Sequence, residues 1–296
     1  MNKPIVYFSS HIDPETVVKL YEALKVNLPG KVACKVHSGE EGNQNYVRPE
    51  FLAPIVKTVN GTIVETNTAY PGARNESKKH KKLLEKHGWS KWFNVDLLDE
   101  EGPDMDIALP HGKVIQKHIV GKNIANYDSL LGLSHFKGHP MGGYGGALKQ
   151  LSIGCASSRG KAHIHSAGKT DDQNIVWNNL PAHDRFLEAM AESAKGMHDY
   201  FMNKGGVAYI NIMVNMSVDC DGCEEAEDPC LKDIGILASL DPVAIDAACL
   251  DLVKQSNDPG LPHFLERVNS RHGEDTIEVA ENLGLGSTEY ELVHID

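Results

Sequence analysis

Residues 127–150 read YDSLLGLSHFKGHPMGGYGGALKQ: an apolar run that passes through a glycine-rich loop into a second apolar segment ending in Lys149 and Gln150. The first part, YDSLLGLSH (127–135), predicts a strand, and GALKQLSIG (146–154) predicts a short helix. Between them lie His139, Gly142, Gly143, Gly145 and Gly146. Glycine admits close approach of a ligand to the backbone and costs folding entropy, so a loop this rich in it needs a reason. In open α/β sheets such strand-to-helix loops are where ligands bind, and N–H groups at a helix start favour an anion. The pattern is neither a dinucleotide fingerprint nor a Walker A loop.

Outward from this stretch, short β-type runs alternate with helical ones. PIVYF (4–8), KVACKVH (31–37), GTIVET (61–66), FNVDLL (93–98) and GVAYINIMVNMSV (206–218) read as strands. Asp13 before Pro14 opens a helix to about Val26, and Pro49 opens another. A hairpin is expected around Pro110–Gly112, and 183–202 carries apolar residues at helical spacing. DIGILASLDPVAIDAACLDLV (233–253) predicts a strand and then a helix capped by Asp241. The expected fold is α/β: a layered, mostly parallel sheet with helices on both faces. No linker or repeat divides the chain, so one domain over 1–296 is expected, any split into two lobes falling near 120–205.

Composition narrows the function. Apolar residues are 41% of 296, and no run nears the roughly 20 needed for a membrane span. The start, MNKPIVYFSSHID, lacks the features of a signal peptide, so a cytoplasmic protein is expected. A net charge of −12 argues against a nucleic-acid partner. The basic run KKHKKLLEKH (78–87) reads as the solvated face of a helix. Oligomeric state has no signature here.

Two clusters carry chemistry. His135, His139, His163 and His165 fall near Lys149, and the H-x-H pair, read as extended, puts both rings on one face. DCDGCEEAEDPC (219–230) offers Cys220-x2-Cys223-x6-Cys230, which suits three ligands of zinc or of an iron–sulfur cluster, metal-free thiols, or a redox switch. Cys34, Cys155 and Cys249 sit in apolar contexts and read as core. Tyr70, Pro71, Gly72 and Arg74 form a further loop at a strand end, with Arg74 suited to clamping a carboxylate or phosphate. Asp246 lies one turn beyond the Asp241 cap and faces either helix or site.

KGHPMGGYGGALKQLSIGCAS…KAHIH, TNTAYPGARNESKKHKKLLEKHGW and DIGILASLDPVAIDAACLDLV together resemble the domain of unknown function 362 family, many of whose members are called iron–sulfur center proteins. Longer members of that family carry a ferredoxin-type insert after the H-x-H segment. Here that region is SAGKTDDQNIVWNNLPAHDRF, without cysteine, so two-cluster electron transfer is not expected. More distantly, His139, Gly143–Gly146, Lys149 and His165 are similar in order to the core of nickel-pincer lactate racemases. That resemblance implies a tethering role for Lys149, nickel ligation by His165, acid/base work by His139 and, through NYVRP, phosphate binding by Arg48. Their second acid/base histidine has no counterpart in TNTAYPGAR, so what the resemblance implies is a shared scaffold and cleft.

The sequence therefore predicts a metal-binding enzyme acting on a small anionic ligand. His139, Lys149 and Tyr70 are the catalytic candidates. Gly143, Gly145, Gly146, Lys149, Arg48 and Arg74 are the cofactor- or anion-binding candidates. Cys220, Cys223, Cys230, His163 and His165 are the candidate ligands of an iron–sulfur cluster, zinc or nickel. The rival is a non-catalytic iron–sulfur or zinc electron-transfer or accessory protein centred on the three cysteines.

Overall fold

The apolar run at 129–135 is a strand buried along its whole length, as a central parallel strand must be. In the computed structural model, which describes residues 3–296, the strands are β1 (Ile5–Ser9), β2 (Val32–Lys35), β3 (Gly61–Glu65), β4 (Asp96–Leu97), β5 (Met105–Ala108), β6 (Lys117–Val120), β7 (Ser129–His135), β8 (Lys137–His139), β9 (Gly143–Gly145), β10 (Val207–Met213), β11 (Gly235–Ser239) and β12 (Glu291–His294). Eight of them form one sheet in the order β12-β1-β11-β10-β7-β2-β3-β4. Only β11 runs against its neighbours; every other pairing in this sheet is parallel. The fold is α/β with a mostly parallel sheet. β5 pairs with β6 in the expected hairpin, and β8 with β9 in the glycine loop.

Alternate strand residues feed two apolar layers. In β10, Val207, Tyr209 and Met213 face the helices Ala147–Lys149, His183–Met202 and Pro242–Gln255. Ala208, Ile210 and Ile212 face Pro14–Ala23 and Pro49–Thr58 on the other side. The caps expected from sequence form: Asp13 accepts from Thr16 N at 2.7 Å, and Asp241 from Val243 N and Ala244 N at 2.9 Å. No described helix is long and apolar enough to cross a membrane.

Chain order runs outward in opposite directions from the β2–β7 boundary, through β3 and β4 on one side and β10 on the other. This is the switch point at which strand-end loops part and leave a crevice. Gln150 ties the glycine-loop helix across it, donating to Lys35 O at 3.2 Å and Leu133 O at 3.4 Å.

Three local expectations are corrected. FNVDLL contributes only Asp96–Leu97 to the sheet. The long run at 206–218 leaves the sheet after Met213 and turns at Asn215, whose φ is 48°. KAHIH is helical, not extended: Ser157 caps the helix Ser158–His165 by accepting from Gly160 N at 3.1 Å. Residues two apart on a helix point to different sides, so His163 and His165 do not share a face.

The glycines of the loop are not equivalent. Gly143 has φ of 78°, and a Cβ there would lie 2.8 Å from Gly273 Cα. At Gly145 a Cβ meets flexible lysine side chains, Lys149 Cδ at 3.4 Å and Lys137 Cε at 3.6 Å. Gly143→Ala is expected to cost about 1–3 kcal/mol and Gly145→Ala under about 1 kcal/mol, read as unfolding midpoints in urea. Equal midpoints for the two variants would contradict this packing.

Candidate active site

β2 and β3 both end in a charge after an apolar run, Lys35 and Glu65, and their side chains pair at 2.7 Å. Buried charges persist only when paired and hydrogen-bonded. Glu65 meets this by also accepting from Ser38 N at 2.8 Å and by lying 3.6 Å from Arg74. Burial pushes its carboxyl up, but Lys35 and Arg74 outweigh that and hold it far below the usual range. Arg74 is further paired with Glu40 at 3.2 Å and donates to Tyr70 Oη at 2.8 Å. Its charge is neutralised from within, so Arg74 frames the site and is no free anion clamp.

These strand ends floor a cavity of about 430 Å³. Lys35, Arg74, Lys149 and Lys161 line it, as do His139, His165, Tyr70, Cys220 and Cys223, with Met141, Ile153 and Trp177 as apolar wall. Burial draws Lys161 down to about 7, and its ammonium nitrogen reaches Thr66 Oγ1 and Ala156 O. Lys161 has no carboxylate ion pair among the described residues, but it is hydrogen-bonded; the Lys149 ammonium has neither. Lys149 is buried, and its pKa is lowered by burial and raised again by Cys220.

The loop after β10 delivers the cysteines. Cys223 N donates to Cys220 O at 3.0 Å, closing a tight turn over Asp221 and Gly222. Gly222 has to be glycine, since a Cβ there would lie 2.6 Å from the Tyr70 hydroxyl. Asp221 turns away from the cavity to His135 at 2.8 Å and Lys137 at 3.0 Å, which anchors the turn to the end of β7 and the start of β8. Asn43 adds a clasp on Cys223 O at 3.0 Å. Cys220 Sγ accepts from Gly222 N at 3.2 Å. The Cys223 thiol hydrogen-bonds to Cys220 and, against the penalty of burial, Lys149 and His139 join it in holding Cys220 well below the ordinary thiol range. Cys223 is driven up in turn by the same contact. Of the two thiols, Cys220 is the more acidic.

His139 Nδ1 accepts from Gly142 N at 2.8 Å, so its proton sits on Nε2 and serves the Cys220 side. His165 stacks on Phe186 at 5.0 Å, its buried Nδ1 has no partner, and burial lowers it to about 3. Tyr70 lies between Arg74 and Gly222 O and supports the cysteine turn. The glycine loop holds an anion, but it is the chain's own: Asp246 accepts from Ala147 N at 2.7 Å and Leu148 N at 3.0 Å. A Cβ on Gly146 would lie 2.4 Å from that carboxylate. Gly143 packs on Gly273, and only Gly145, beside Lys149, borders the site's cations. Arg48 lies elsewhere, over the Tyr46 ring at 4.0 Å, and is corrected from the site.

The family model described as "Domain of unknown function (DUF362)" matches residues 32–251. The chain belongs to the DUF362 family. Among solved structures, the lactate racemase apoprotein from Thermoanaerobacterium thermosaccharolyticum is 16% identical with a TM-score of 0.39, covering 70% of this chain and 50% of that one. A protein from Thermotoga maritima is 11% identical with a TM-score of 0.44, covering 91% and 58% respectively. The DUF362 chain thus spans between half and three-fifths of those structures' length. No curated protein matches it.

The donor set does not match the metal expected from sequence. Among the described residues no three His, Cys, Asp or Glu side chains converge as ligands. Cys230 faces Met216 O at 3.5 Å, outside the cavity lining, and His163 is on the other side of its helix. His139 Nδ1 is committed to backbone N–H groups. The residues as arranged do not fit a metal, and no chemical step is routed through one.

Sequence reasoning missed Lys35, Glu65, His37 and Lys161 in this DUF362 cavity. A legible signal existed for two of them: a charge closing an apolar parallel strand whose last residues are buried.

Breaking the Asp221 anchor leaves buried cations uncompensated, so Asp221→Asn is expected to cost about 3–5 kcal/mol. Burial raises the Asp221 carboxyl, but His135 and Lys137 depress it far more. Its folded pKa lies below the unfolded value of about 3.9, so its stabilisation is full above that value and is lost as pH falls below it. Denaturation of wild type and variant from about pH 7 to 3 should show the gap closing on acidification. A pH-independent gap would contradict the assignment.

Proposed function

We propose that the protein is an enzyme acting on a small anionic substrate, with Lys149 as the charge partner of the substrate's carboxylate or phosphate and Cys220 as the nucleophile. One observation carries this reading: the Lys149 ammonium, with neither ion pair nor hydrogen bond among the described residues, shares a 430 Å³ cavity with the Cys220 sulfur, which accepts from Gly222 N at 3.2 Å. Burying an ammonium is costly unless it is paired. Lys35 and Arg74 have internal carboxylates; Lys149 has instead the Cys220 sulfur and whatever enters the cavity.

The thiolate is the nucleophilic form of cysteine, and a neighbouring cation or histidine is what maintains it near neutral pH. Here Lys149 lowers the energy of the thiolate and holds the anionic end of the substrate. His139, with its proton on Nε2, hydrogen-bonds to the sulfur and orients it for attack. Lys161, drawn to about 7, adds a second donor in the cavity lining. Tyr70 acts through Gly222 as a positioning residue. Ile153, Met141 and Trp177 supply the cavity's apolar wall.

Ligand-induced stabilisation tests the anion site without knowing the reaction. Inorganic phosphate and malonate, each titrated at millimolar concentration, are expected to raise the melting temperature of the wild type. Saturation to a hundredfold excess over Kd corresponds to about 2.7 kcal/mol. Lys149→Met should abolish the rise while keeping its own melting temperature near that of the unliganded wild type. A wild type that neither anion stabilises, or a variant stabilised equally, defeats the proposal.

A further inference from the structure

The cysteine turn carries more than a nucleophile. Its i-to-i+3 hydrogen bond, Cys223 N to Cys220 O at 3.0 Å, is that of a β-turn. A β-turn brings its end Cα atoms within about 7 Å, and a disulfide spans Cα atoms about 4.4–6.8 Å apart. The two sulfurs are therefore within reach of one another with little backbone movement, yet both are reduced. Both cysteines line the cavity, Cys220 buried and Cys223 only partly so.

We propose that Cys220 and Cys223 form a thiol–disulfide exchange pair that serves small disulfides able to enter the cavity. The size limit rests on the cavity reading given above; the exchange chemistry rests on the turn itself. The Cys220 thiolate attacks one sulfur of the incoming disulfide, forming a mixed disulfide and expelling the first thiolate. Cys223 then gives up its proton to that leaving thiolate and attacks Cys220 Sγ. The Cys220–Cys223 bond closes and a second thiolate leaves, taking its proton from solvent. Two electrons pass from the protein dithiol to the small disulfide, which becomes two thiols.

Three contacts suit the turn to this cycle. Gly222 N and Lys149 stabilise the attacking sulfur, which also makes it the better leaving group when the disulfide is reduced again. Asp221, Asn43 and Tyr70 hold the turn from three sides, so closure orders little that is not already ordered. Cys230, facing Met216 O, is too far along the chain's other branch to line the cavity and takes no part.

The test uses the reduced full chain and glutathione disulfide as probe, read by intact mass and by thiol count after denaturation. The wild type is expected to lose two thiols and two hydrogens without keeping glutathione. Cys223→Ser, unable to resolve, is expected to accumulate one glutathione on Cys220, and Cys220→Ser to remain unmodified at both positions. A wild type that stays fully reduced, one that retains glutathione, or a stoichiometric zinc whose removal must precede reaction would overturn the proposal. Phosphate-induced stabilisation is read on the same samples: its loss with exchange intact defeats the anion site, and its retention with exchange absent defeats only the exchange pair.

Discussion

The carboxylate of Asp221 is the contact on which the site depends. It is buried, accepts from His135 at the end of β7 and Lys137 at the start of β8, and belongs to the turn that carries both cysteines. A single residue thereby converts the end of a parallel strand into a fixed position for Cys220. The neighbours of Asp221 in sequence point the other way: Cys220 and Cys223 look into the cavity because Asp221 looks out of it. Gly222 allows the arrangement by leaving room for the Tyr70 hydroxyl.

Charge accounting then isolates Lys149. Buried ion pairs add little net stability, but breaking one is costly, so the partners of each cation are strongly held. Glu65 and Glu40 hold Lys35 and Arg74, Asp221 holds His135 and Lys137, and Asp246 fills the helix start beneath the glycine loop. Lys161, which also lacks a carboxylate ion pair, is hydrogen-bonded to Thr66 and Ala156 O, and Lys149 is left facing the cavity beside Cys220. The switch point between β2 and β7 brings these groups together, although they derive from loops far apart in the chain.

Much of this was legible in the sequence. Alternation of strand and helix, capped by Asp13 and Asp241, specified the α/β layers, because periodicity and caps are local signals. His139, Lys149, Tyr70, Arg74, His165, Cys220 and Cys223 do line one cavity. The failures have physical causes. His163 was lost because KAHIH alternates like a strand but is capped as a helix by Ser157. The glycine loop was expected to await an external anion, and the anion is Asp246, 100 residues further along the chain from Gly146. Long-range pairing of that kind leaves no local mark. Lys35 and Glu65 were passed over because a charge at the end of an apolar strand reads as its boundary, whereas here it is a buried ion pair.

The central claim is that Cys220 is a thiolate held by Lys149 and the Cys223 thiol. Ultraviolet absorbance of the thiolate, followed by pH titration of the native protein, tests it most directly. The account predicts a thiolate already present well below the ordinary thiol pKa of about 8.5, absent in Cys220→Ser and shifted upward in Lys149→Met. A cysteine that titrates near about 8.5 in the wild type, unmoved by Lys149→Met, would contradict it.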